Sequence, residues 1–124
     1  MAHTSSIFKE DSKTHMDVYG FIVEELKPIY SRNRSFYGKA NVVTHADGTV
    51  TLFSYTTAVC EIDPSGAFHR TWCGYSATTM KHVNDFMIQR GFGGCGADRW
   101  RSMPVENARH AYMGFTANYT VSYY

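Results

Sequence analysis

The sequence predicts an α+β domain: an antiparallel β-meander of about four or five strands with one main α-helix packed on one face. Three observations carry this expectation. An Asp47-Gly48 step separates two runs rich in β-branched and aromatic residues, and Asp63-Pro64-Ser65-Gly66 separates another two. Beyond Trp72 the apolar period changes, with Met80, Val83 and Met87 recurring at helical spacing. The length of 124 residues and a hydrophobic content of 44% fit one domain with a modest core.

Residues 1–16 are polar and without period, and are expected to form a mobile arm ahead of a single domain over 17–124. Between Val18 and Tyr30 the first half suits a short strand, while "VEELKP" suits a helical turn closed by Pro28. "SFYGKANVV" and "TLFSYTT" read as strands around Asp47-Gly48, a pair that supplies the positive φ angles of a type I′ turn. "AVCEI" and "AFHRTW" form a second hairpin, with Pro64 presetting φ and Gly66 tolerating left-handed backbone. These connections are too short for crossovers, hence the meander.

Ser76 is the expected N-cap of a helix from about Ala77 to Arg90, its hydroxyl accepting from the backbone N–H of Thr78 or Thr79. Lys81, Asp85 and Gln89 fall on its polar side, His82 reads as solvated, and Gly91 sits at the left-handed C-cap. "GFGGCGA" is a flexible loop, "DRWRSMPVE" a short turn or helix, and "YMGFTANYTVSYY" a last strand.

Twelve basic and eleven acidic residues leave a net charge of +1. That argues against an acidic nucleic-acid mimic and gives little support for a strongly basic nucleic-acid binder. No apolar run approaches the roughly 20 residues of a membrane span, and the N-terminus lacks a signal-like apolar region. Cys60, Cys73 and Cys95 are irregularly spaced and odd in number, which fits a reducing cytoplasm better than a disulfide framework.

The segment "TWCGYSATTMKHV" gathers reactive residue types, yet Ser76, Thr78 and Thr79 read as helix-start chemistry, and no G-x-S-x-G elbow surrounds Ser76. If Ile62 pairs with Ala67, Cys60 and His69 face each other with Cβ atoms about 4.5–5.5 Å apart, close enough to share a metal. A tetrahedral zinc site would then be built from Cys60, His69, Cys95 and one more His. Cys73 shares a strand face with His69 but lies roughly 13 Å away. No C-x-x-C or H-x₃-H pair supports zinc, and the plain alternative is a buried small Cys60 and a partly exposed His69. The same two residues would serve a small Cys/His-dependent enzyme, for which the sequence shows neither an orienting group nor an oxyanion hole. Gly91, Gly93, Gly94 and Gly96 lack the Lys-Ser/Thr of a phosphate-binding loop.

Arginines interleaved with aromatics are the remaining signal. Tyr37, Arg70, Trp72, Arg99, Trp100 and Arg101 are the candidates for a partner-binding surface, since Tyr, Trp and Arg dominate interface hot spots. The near-neutral charge favours a protein partner over nucleic acid.

Four segments carry a family resemblance: "EELKPIYSRNRSFYGKA", "LFSYTTAVCEI", "WCGYSATTMKHVNDFM" and "RWRSMPVE", between residues 24 and 106. Through these, above all "SFYGKA" and "GYSATTMKHVNDF", the chain resembles a small domain of unknown function found in bacterial, plasmid and phage proteins. The resemblance implies no reaction and no catalytic motif. It implies a mobile-element setting, in which small accessory proteins block host defence, an anti-CRISPR inhibitor of a nuclease being one kind. The expectation is therefore a non-enzymatic protein-binding module, of the phage-encoded inhibitor type, acting by surface occlusion in the bacterial cytoplasm. A zinc-stabilised binding domain, a Cys/His-dependent enzyme and a nucleic-acid-binding accessory protein are the alternatives.

Overall fold

The computed structural model of the chain describes residues 14–16 and 21–112. Six strands form one antiparallel sheet in sequence order: β1 (Thr14–Met16), β2 (Ile22–Glu25), β3 (Ala40–Thr44), β4 (Val50–Ser54), β5 (Thr57–Ile62) and β6 (Phe68–Arg70). Helices α1 (Ala77–Gln89) and α2 (Ala97–Ser102) follow. The predicted meander with one main helix on one face is thus the architecture observed. Thr14–Met16 belong to the sheet, although they fall in the segment assigned to the arm; the last strand expected at 112–124 lies, beyond Tyr112, outside the described residues. The "VEE" of the expected helical turn is strand β2, because Val23 pairs with Val43 and Glu25 with Asn41.

Strand alternation builds two faces. On one, Val42, Leu52 and Cys60 pack against Val83, Phe86 and Met87 of α1 and Trp100 of α2. A bulge between Leu52 and Phe53 shifts the β4–β5 register and puts both Val59 and Cys60 in this layer. On the other face Phe21, Val43, Phe53 and Ala58 form a smaller cluster, touched by Ala108.

Two hairpins share one loop design. In the first, His45 and Thr49 flank the loop, the His45 N–H donating to the Thr49 carbonyl at 2.8 Å and the Gly48 N–H to the His45 carbonyl at 2.9 Å. In the second, the Asp63 N–H donates to Ala67 and the Gly66 N–H to Asp63, each at 2.9 Å. Only Gly48 (φ 95°) and Gly66 (φ 96°) have positive φ in these loops. Both are therefore three-residue loops ending in a left-handed glycine, not two-residue turns, and the type I′ expectation at Asp47-Gly48 is corrected. The extra residue moves the register by one. Ile62 pairs with Phe68, Glu61 with His69, and Cys60 with Arg70.

Candidate functional site

That one-residue shift decides the metal question, because a slip of one sends side chains to opposite faces. Cys60 is fully buried on the helix side, where burial pushes its thiol well above the ordinary range. His69 lies on the outer face between Asp63 (2.7 Å) and Glu106 (2.9 Å). Cys73 is exposed, and Cys95 is buried with the helix-side core, its thiol also raised by burial. Among the described residues, no group of three or more His, Cys, Asp or Glu is placed to hold a metal ion. The zinc expectation at Cys60, His69, Cys73 and Cys95 is overturned, and the Cys60–His69 nucleophile falls with it. A buried protonated thiol cannot be activated by an imidazole on the far side of the sheet.

The partner-binding candidates divide in the same way. Arg70 and Trp100 are buried. The Arg70 guanidinium donates to the carbonyls of Trp72 (2.8 Å), Cys73 (2.9 Å), Trp100 (3.0 Å) and Met103 (3.2 Å), and lies 4.7 Å from the Trp100 ring centre. Trp72 packs against the core. Arg99 spends its guanidinium on the loop carbonyls of Phe92 (3.0 Å) and Gly94 (2.7 Å). Of the six, Tyr37 (74% exposed) and Arg101 are exposed and donate to none of these backbone carbonyls.

Inside the helix–sheet layer, His82 and Asp85 are buried, not solvated. Ser54 Oγ lies 2.8 Å from His82 Nδ1 and 3.0 Å from Thr79 Oγ1. Burial lowers the His82 pKa, so the ring is a neutral hydrogen-bonding partner to the Ser54 hydroxyl. With Ser54 3% and His82 2% exposed, this pair joins β4 to α1 and meets no solvent. The Asp85 carboxylate accepts from three consecutive backbone N–H groups, Ile29 (2.9 Å), Tyr30 (3.1 Å) and Ser31 (2.9 Å), and from Gln89 Nε2 (2.8 Å). It fixes the loop after β2 along the helix.

That fixed loop forms one wall of a groove. A cavity of about 420 Å³ is lined by Ser31, Arg32 and Asn33 on the loop side, and by Tyr75 with Ala77, Met80, Lys81 and Asn84 of α1 on the other. Among the described residues, no carboxylate lines it. Arg101 of α2 stacks on Tyr75 at 4.3 Å. Asn84 Oδ1 accepts from the Cys95 N–H at 2.9 Å, which leaves its amide N–H groups as the atoms to offer a ligand. Ser76 caps α1 as expected, accepting from Thr79 N–H at 3.0 Å, and the first turn of the helix carries no acidic residue. Phe36 packs edge-on to the buried His82, and Tyr55 lies 6.2 Å from the same ring. Tyr37 (φ 54°) and Tyr55 (φ 58°) occupy left-handed backbone, which costs a side-chain-bearing residue about 1–2 kcal/mol. Both sit on tight turns that hold them outward, 74% and 48% exposed.

The outer face is closed by residues 105–110. Val105 bridges to Arg70, and the Arg109 N–H donates to Glu61 at 2.9 Å while its guanidinium meets the same buried carboxylate at 3.2 Å. His110 stacks on His45 at 3.6 Å and reaches Asp47 at 3.0 Å. Burial, then the neighbouring His110, pushes His45 down to about 4, so it is neutral near pH 7. His69 is raised by Asp63 and then Glu106, and Asp63 is held well below the carboxylate range by the Ser65 hydroxyl and then His69. A raised His69 contributes stability that is complete below its unfolded value, about 6.5, and is lost as pH rises through its folded value. The difference in melting between the wild type and His69→Gln should therefore be full near about pH 6 and shrink as pH rises through the raised folded value of His69. A difference independent of pH would remove the ionic role assigned to His69.

Sequence reasoning missed the groove, although a signal was present: the stretches 26–46 and 64–84, which supply most of its lining, contain no Asp or Glu. Among the described residues, no helix is long and apolar enough to cross a membrane. No curated protein and no solved structure matches the chain significantly. A family model described as "Family of unknown function (DUF8033)" matches residues 24–102, from β2 through α2. That span holds the groove and both of its walls, and the chain belongs to this family of unknown function.

Proposed function

We propose that the chain is a non-enzymatic binding module that engages an anionic macromolecular partner through the groove face. One observation carries this reading: Arg32, Lys81 and the Tyr75–Arg101 stack converge on a groove that no carboxylate lines. None of these three cations is in an ion pair with a described residue, so their charge is open to a ligand. Of the tyrosines and arginines expected to meet a partner, Tyr37 and Arg101 are exposed, and the exposed Tyr75 stacks with Arg101. A nuclease target, implied by the mobile-element setting, has no residue on this face that argues for it.

Capture of the tagged chain from a bacterial lysate, beside an Arg32→Glu/Lys81→Glu variant of unchanged melting temperature, tests the reading. A stoichiometric partner held by the wild type and lost from the variant is the expected result. Equal recovery by both, or recovery by neither, would overturn it.

A further inference from the structure

We infer that the ligand of this face is single-stranded nucleic acid, an inference that rests on the anionic-partner reading above. The net charge of +1 is an average over the whole surface. Asp47, Glu61, Asp63 and Glu106 are engaged on the outer face with residues 105–110, Asp85 is consumed inside the fold, Glu24 lies in β2, and Asp98 stands in the first turn of α2, three positions before Arg101. Arg32 and Lys81 line the groove, Arg101 stacks on its Tyr75, and these three, like Arg34 and Lys39, form no ion pair with a described residue. Glu25 is bound to Lys27 (3.3 Å) and accepts from the Gly38 N–H (3.0 Å).

Aromatic faces lie among these charges. Tyr30, Tyr37, Tyr55 and Tyr75 are 43–74% exposed. Lys39 lies 5.6 Å from the Tyr55 ring, and the Tyr75 ring stacks with Arg101 as a platform that a base can extend. Every base has a π-face, so such platforms bind single strands with little regard to sequence, while nearby cations track the backbone. Asn33 and Asn84 add amide N–H donors suited to phosphate or base oxygens, while the Ser31 hydroxyl donates to Asn33 Oδ1 at 2.8 Å.

The test is fluorescence anisotropy of the full chain with three probes: a labelled thymidine oligonucleotide of about twelve residues, an abasic strand of the same length, and a glutamate peptide as competitor. Binding of the oligonucleotide is expected to weaken with salt, with a log–log slope of about −2 to −3.5 for three to five phosphate contacts. Tyr75→Ala should weaken it about 5- to 100-fold, Tyr75→Phe should restore it, and Lys81→Ala should flatten the slope by about 0.7. The abasic strand should bind at least about tenfold more weakly. Absence of oligonucleotide binding at low salt, or equal binding of the abasic strand, would overturn the inference. Displacement by the glutamate peptide at equal concentration would also overturn it, while leaving the anionic-partner reading in place. If every probe fails but Arg32→Glu/Lys81→Glu still loses a captured partner, only the nucleic-acid assignment falls.

Discussion

Arg70→Ala should cost about 3–5 kcal/mol of stability, measured by urea unfolding at neutral pH. The guanidinium donates to four carbonyls at the junction of β6, the segment before α1, and α2, of which the Trp100 carbonyl also accepts from the Met103 N–H at 3.2 Å. Removing it leaves those oxygens facing a cavity beside Trp100, which is 0% exposed. Each bond from a charged donor is worth about 1.5–3 kcal/mol, and the four are not additive because they share one rigid fork. Arg70→Lys should recover only a minor part, since a single ammonium cannot reach carbonyls spread around a planar group. A loss below about 1 kcal/mol for Arg70→Ala would show that the junction is held by packing alone. The affinity of the groove for its ligand should change little in molecules that remain folded, because Arg70 is not among its lining residues.

Asp85→Ala should behave differently, lowering both stability and binding. Its carboxylate collects the amides of Ile29, Tyr30 and Ser31, and their loss as a group should cost about 2–4 kcal/mol. The groove wall at Ser31, Arg32 and Asn33 then loses its anchor to α1. The sign of the binding effect is informative. Removing a negative charge near a cationic groove should strengthen anion binding if long-range charge were the whole effect. Weaker binding, by about tenfold, means that loop position outweighs it. Asp85→Asn should lie between, since it keeps one oxygen but turns an N–H₂ toward amide donors. Titration of the oligonucleotide probe against both variants, with melting curves alongside, separates these outcomes.

Much of the fold was legible because its signals are local. Helix α1 shows in the spacing of Met80, Val83 and Met87 and in the Ser76 cap, and the observed span Ala77–Gln89 differs from the expected one by a single residue. The hairpins show in Asp47-Gly48 and Asp63-Pro64-Ser65-Gly66. Their loop lengths do not, since a glycine in left-handed backbone suits both a two-residue turn and a three-residue loop. That one-residue ambiguity moved His69 from Cys60 to Glu61 and created a zinc site that the sheet does not contain.

Burial was the least legible property. His82 and Asp85 read as polar-face residues by spacing, yet Ser54 from β4 and the Ile29–Ser31 amides supply the partners that allow both to be buried. Arg70 and Trp100 read as hot-spot types and are instead a stacked pair inside the fold. Residue type and period thus determined β3 to β6, the places of the two hairpin turns, the helix and its cap, because each depends on neighbours within a few positions in the chain. Register, the burial of polar side chains and the groove itself depend on groups brought together from distant positions, such as Asp85 and Tyr30, 55 residues apart. Only the tertiary structure could decide them, because a polar group is buried or exposed according to the partners that the rest of the fold delivers to it.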